Sequence, residues 1–157
     1  MTMEKDKQLG LIKEYIQSQY QMVIATTGDH PWIATVYYSF DDELNLYFLS
    51  NPATIHCQQI LQNPQVAVSI ADSPQPANAK KIGVQIYGLA EQISGEKKIT
   101  HALNLWRKSL NVTSDAYTYK GMMSKLIDGR MYMVTPKKIK FFNQELWEEG
   151  EEPLIEL

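Results

Sequence analysis

Between Phe48 and Pro64 the chain reads FLSNPATIHCQQILQNP, so a strand end, a polar turn and a helix start follow one another without a gap. Leu46 to Leu49 has strand character, Ser50-Asn51-Pro52 breaks it, and Ala53 to Gln62 has helical spacing, with Ile55, Gln59 and Ile60 behind a hydroxyl at Thr54. The first amides of a helix have no intrahelical acceptor, and the helix dipole adds partial positive charge at that end. A strand that turns directly into a helix therefore aims donors at whatever sits above the turn, and phosphate is the usual occupant. On the far side of the helix the chain becomes a strand again, because Gln65 to Ala71 is dense in Val and Ile.

Strand-like runs of this kind recur along the chain. Gln21 to Thr27, Trp32 to Phe40, Leu44 to Ser50, Gln65 to Ala71, Ile82 to Ser94 and Arg130 to Phe142 are all rich in β-branched and aromatic residues. Gly28-Asp29-His30-Pro31 and Asp41-Asp42-Glu43 read as the tight turns between the first three. Evenly spaced strands with short turns argue for a small antiparallel barrel. Gly83 and Gly88 mark a bend or a close backbone approach in the long fifth run, and Pro136 places a break or an edge in the sixth. Leu9, Ile12, Ile16 and Tyr20 recur at helical intervals, which predicts an amphipathic helix over about 5–18 covering one end of the sheet. A second helix is predicted over Glu96 to Leu110, with Ile99, Leu103 and Trp106 on one side. The expected organisation is a single domain over 1–157, with the barrel over about 21–142. An acidic tail follows over 145–157, where Trp147, Leu154 and Ile155 are the isolated apolar residues, and it either docks or stays loose.

Composition removes several classes of function. A chain of 157 residues suits one domain with its own core, and 44% hydrophobic residues with nine tyrosines lie far from the composition of disordered segments. The net charge is −3, and no cluster of Lys and Arg interleaved with aromatics suggests a nucleic-acid face. No stretch approaches the ~20 apolar residues of a membrane span and the beginning, MTMEKDKQ, is charged, so a soluble cytoplasmic protein is expected. The single cysteine, Cys57, excludes an intramolecular disulfide and cannot by itself make a thiolate metal site; in the middle of a short helix it reads as a small buried or half-buried apolar residue, with a reactive thiol as the alternative. His30, His56 and His101 fall in a turn and two separate helices, away from metal-ligand spacing, and no serine is flanked by glycines as in hydrolases. Neither a metal nor serine chemistry is expected.

The segment from Phe48 to Pro64 resembles the flavin phosphate turn of the pyridoxamine 5′-phosphate oxidase-like split barrels. Ser50, Asn51, Thr54, Asn63 and Pro64 match that turn, while Ile55 and His56 stand where the family usually carries arginine and lysine. Gly83-Val84-Gln85-Ile86-Tyr87-Gly88 is similar to the G-V-Q-x-x-G strand of the same proteins. In element order and in its late strand through Pro136-Lys137-Lys138-Ile139-Lys140-Phe141, the chain looks closest to a small bacterial branch of the superfamily. The resemblance implies a mainly β fold with helices (α+β), a six-stranded antiparallel split β-barrel of Greek-key connectivity. It also implies a homodimer with cofactor sites at the interface, FMN as the cofactor, and a small molecule as substrate.

By the same resemblance, Ala34 and Thr35 lie on the strand that runs along the isoalloxazine ring, and Ser50, Asn51, Thr54 and His56 surround the phosphate. Gln85 offers a donor and an acceptor to the flavin edge, and Gly83 lets a flat ligand approach the backbone. Lys81, with Lys80 before it, is expected to supply the positive charge missing at Ile55 and His56, since a charge-assisted bond is roughly twice as strong as a neutral one. True pyridoxamine 5′-phosphate oxidases close with a Trp-Arg-Leu-x-Pro type segment that holds the substrate. This chain closes with GEEPLIEL, so oxidation of vitamin B6 phosphate is not expected. Two readings follow: an FMN-dependent oxidoreductase whose catalytic residues are unassigned, or a binding module of the same fold that holds flavin, haem or another planar ligand without turnover, or holds nothing.

Overall fold

The computed structural model describes residues 3–157. Alternation of apolar and polar residues builds the strands. In β1 (Gln21–Thr27) Met22, Ile24 and Thr26 point inward, and in β4 (Gln65–Ala71) Val66, Val68 and Ile70 do the same. The other barrel strands are β2 (Pro31–Phe40), β3 (Leu46–Ser50), β5 (Ile82–Gln92) and β6 (Arg130–Asn143), close to the predicted runs. Their spatial order is β3-β2-β1-β4-β5-β6, all antiparallel, and a further pairing of β3 with β6 closes the barrel. The chain leaves β3, passes through α2 (Ile55–Gln62) and returns as β4 beside β1, so β4-β1-β2-β3 form a Greek key. This is the six-stranded split barrel that the resemblance implied.

Strand β6 holds the closure together because its two edges serve different partners. One edge pairs with β5 along Tyr132–Asn143. The other pairs first with β3, from Ser50↔Arg130 to Leu46↔Val134, and then with β7 (Leu154–Glu156) opposite Lys138–Lys140. The bend between these halves lies at Pro136, where the β5 register shifts at Tyr87/Gly88. A Cβ on Gly88 would lie 2.6 Å from the Thr135 carbonyl oxygen, so only glycine lets the two backbones approach here.

Two cores result. Inside the barrel Phe48, Tyr132, Ile24, Val68, Ile86 and Ile139 pack together, and α1 (Lys5–Gln17) plugs one end with Ile12 and Ile16. Outside β3 and β6, helices α3 (Glu96–Leu110) and α4 (Tyr119–Met123) cover Tyr47 and Met131 with Leu103, Trp106 and Met122.

Two details differ from expectation, and the structure decides between the two alternatives for the tail. Helix α2 begins at Ile55 rather than Ala53, because Asn51 holds the preceding residues in a turn. Its side-chain Oδ1 accepts from the Ala53 amide at 2.9 Å, and its carbonyl accepts from the Thr54 amide at 3.0 Å. The acidic tail docks: Ile155 is buried in the barrel core, and the Trp147 ring meets Phe141 edge-on. The space above Gly83 is not open to a ligand, because the Phe142 ring fills it.

Candidate phosphate-binding site

The turn after β3 and the start of α2 close one mouth of the barrel. Gln59 fastens the helix there, accepting from the Thr26 hydroxyl at 2.7 Å and donating to the His30 carbonyl at 3.1 Å. The first intrahelical bond of α2 runs from the Gln58 amide to the Thr54 carbonyl at 3.0 Å, and Thr54 gives no side-chain cap. The amides that open the helix are therefore uncapped donors, as the sequence pattern predicts.

His56 is turned inward, 8% exposed, while Ile55 faces solvent. The His56 Nε2 lies 2.7 Å from Ser50 Oγ and 3.3 Å from Thr54 Oγ1. The Thr54 hydroxyl donates to the Asn51 carbonyl at 2.8 Å, so its proton is committed within the turn. Ser50 is different. When Nε2 carries a proton, the imidazole donates to Ser50 Oγ and leaves the serine O–H free to donate outward. Histidine thus fills the position of a basic family residue, and its ring organises the hydroxyls rather than reaching past them.

Two further groups come from β6, where sequence reasoning assigned none. Arg130 stands directly opposite Ser50 in the β3–β6 ladder. It lies two residues from Tyr132, so both project to the same sheet face. Tyr132 stacks on Phe48 with ring centroids 5.2 Å apart, and its hydroxyl donates to Gln92 Oε1 at 3.3 Å. Beneath them lies Cys57, 2% exposed. Burial pushes its thiol up, but the polar side chains of His56, Thr54, Tyr132 and Ser50 around it outweigh burial and bring it down to about 7. Burial, together with the hydrogen bond and charge of Cys57, pushes the Tyr132 phenol up, and the nearby Arg130 charge opposes that rise. Cys57 and Tyr132 also line a cleft of about 340 Å³ between α2 and the end of β5, with Gln58, Leu61 and Gln92. The alternation of Arg130 and Tyr132 was visible in the sequence, but the register that sets them against Ser50 and Phe48 was not.

The structure gathers Ser50, Asn51, Thr54 and His56 at one place and leaves the other expected residues elsewhere. Lys81 is at the opposite end of the barrel. It precedes Ile82, which pairs with Asn143, whereas Gln92 at the other end of β5 pairs with Tyr132, about 33 Å away along the strand. Its ammonium donates to the Pro76, Ala77 and Ala79 carbonyls of its own loop. It therefore does not supply charge to this turn. Ala34 and Thr35 point to opposite faces of β2: Ala34 packs against the barrel core, and Thr35 faces outward. Gln85 also faces outward, in the row Thr35–Val23–Ser69–Gln85–Lys140 that crosses β2, β1, β4, β5 and β6. Three strand spacings, about 14 Å, separate Thr35 from Gln85.

The family model for pyridoxamine 5′-phosphate oxidase matches residues 10–141. The chain belongs to the pyridoxamine 5′-phosphate oxidase family. A UPF0306 protein of Photorhabdus laumondii is 32% identical over 97 residues, covering 60% of this chain and 67% of that protein. Among solved structures, the haem storage protein HutZ of Vibrio cholerae superposes with a TM-score of 0.67 at 15% identity, over 85% of this chain and 93% of that one. A NimC/NimA family protein of Clostridium acetobutylicum gives 0.66 at 19% identity, over 96% and 93%. At these identities the solved structures speak for the fold alone. Among the described residues, no helix is long and apolar enough to cross a membrane.

Proposed function

We propose that this chain is a cytoplasmic FMN-binding flavoprotein, an oxidoreductase for a small molecule, working as a homodimer with the flavin sites at the interface. The observation that carries this reading is the donor set at the mouth of the barrel: uncapped α2 amides, the Ser50 hydroxyl 2.7 Å from His56 Nε2, and Arg130 opposite that serine. Those groups fit a phosphate monoester, since neutral donors orient it and the guanidinium balances its charge. Ser50 and the opening amides of α2 would hold the phosphate, His56 would keep the Ser50 hydroxyl pointed outward, and Asn51 would hold the turn in shape. Bound flavin supplies electron and hydride transfer, and the chain positions it.

The dimer rests on the outer face of β1, β2, β4 and β5. Val23, Ile33, Tyr37, Tyr87 and Leu89 are all exposed there around the small residues Ala25, Ala67 and Ser69, and Ile33 is 67% exposed. A contiguous apolar sheet face of this kind needs a partner, and a second copy brings the same face.

A second reading, a binding module without turnover, has one observation in its favour: His56 already engages both hydroxyls of the turn. Titration with FMN, followed by quenching of flavin fluorescence, tests the flavin reading. Binding is expected in the wild type and should tighten in His56→Lys, where the added charge outweighs the lost His56–Ser50 hydrogen bond. Absence of binding in both proteins would end the flavin reading and leave a module for another planar ligand. Reduction of bound flavin by a nicotinamide donor separates an oxidoreductase from a module that only stores it.

A further inference from the structure

Resting on the flavin reading, we infer that Arg130 is the residue that makes this site select a phosphorylated flavin over riboflavin. A phosphate dianion at the mouth of the barrel needs a cation, and the usual places for one are vacated. Ile55 faces solvent, His56 is spent on Ser50 and Thr54, and Lys81 is tied into its own loop at the other end of β5. Arg130 enters from a different element. It is the direct ladder partner of Ser50, and side chains at directly opposed positions start about 5 Å apart on one face.

Its guanidinium is held but not used up. Nη1 donates to the Gly129 carbonyl at 2.8 Å, which fixes the head near the strand end and leaves most of its five N–H donors free. Among the described residues no carboxylate pairs with it, the ion pairs being Lys138–Glu156 and Lys140–Glu152 at the far half of β6. The Arg130 charge opposes the rise in the Tyr132 phenol, two residues along the same face of β6. A planar guanidinium fork carried at the strand position opposite Ser50 matches the oxygens of a phosphate monoester, which a point charge matches less well. Riboflavin offers no oxyanion to this set, so its affinity should not depend on Arg130.

The test compares FMN and riboflavin binding, by flavin fluorescence quenching, in the wild type, Arg130→Gln and Arg130→Lys. Wild type should prefer FMN. Arg130→Gln should weaken FMN about tenfold or more while leaving riboflavin unchanged, and Arg130→Lys should recover part of the loss. Riboflavin binding also reports whether each variant is folded. Equal weakening of both ligands in Arg130→Gln would make the residue structural and overturn the inference, as would an unchanged affinity for FMN. Equal wild-type affinity for the two flavins would overturn it while leaving the flavin reading intact. Failure of the wild type to bind either flavin would remove both.

Discussion

Cys57 shows how far a single side chain can depart from the role its surroundings in the sequence suggest. A small residue in the middle of a short helix reads first as packing and second as a reactive thiol, and Cys57 is indeed buried. The polar side chains of His56, Thr54, Tyr132 and Ser50 nevertheless lower its thiol from the ordinary 9.0 to about 7. A group whose folded-state pKa is depressed stabilises the fold above its unfolded value, and that contribution fades as pH falls through the folded value. Between pH 9 and pH 7 the folded chain holds fewer protons at this site than the unfolded chain, so stability should rise with pH across that window. Urea denaturation at several pH values, with Cys57→Ser as the reference, should show this slope in the wild type and a flatter one in the variant. Parallel slopes would mean that the thiol stays protonated. At this scale Ser50, Asn51, Thr54 and His56 were legible because they are neighbours in the chain. Arg130 and Tyr132 were not, since they reach the site through a strand register that no local pattern encodes.

The elements were the most legible level. Alternation located β1, β2, β3, β4, β5 and β6, and helical spacing located α1 and α3, because each buries one face against a core and the pattern of burial is the pattern of the residues. What escaped was decided by partners. Strand β7 has only three residues and exists because β6 leaves an edge open beyond β3, where Ile155 can reach the core. The role of Gly83 escaped for the same reason. Its lack of a side chain reads equally well as room for a ligand or room for a neighbour, and the neighbour is Phe142, across the β5–β6 pair. Gly83→Ala should therefore force the Phe142 ring aside and destabilise the chain by about 1–3 kcal/mol, as overpacking does. Thermal unfolding of this variant checks it, and Phe142→Ala added to Gly83→Ala should restore part of the loss contributed by the clash. A Gly83→Ala protein of unchanged stability would mean that the ring has another place to go.

For the whole molecule an antiparallel barrel followed from strand count and spacing, and its six-stranded Greek-key form from the family resemblance of the two motif segments, while the closing pair of β3 with β6 came only with the structure. A cation for the candidate phosphate site did not follow: Lys81, expected to supply it, is tied into the loop before β5, and the cationic residue opposite Ser50 is Arg130 at the start of β6. The reading as a flavin dimer joins two features that are distant in the fold, the anion-binding mouth and the exposed outer sheet face. Analytical ultracentrifugation of the protein with a slight excess of FMN, followed in the visible flavin band, tests both together. The flavin colour should sediment with the protein in one boundary at the mass of two chains, with two flavins in each dimer. Flavin left at the mass of free FMN while the protein sediments alone would contradict it.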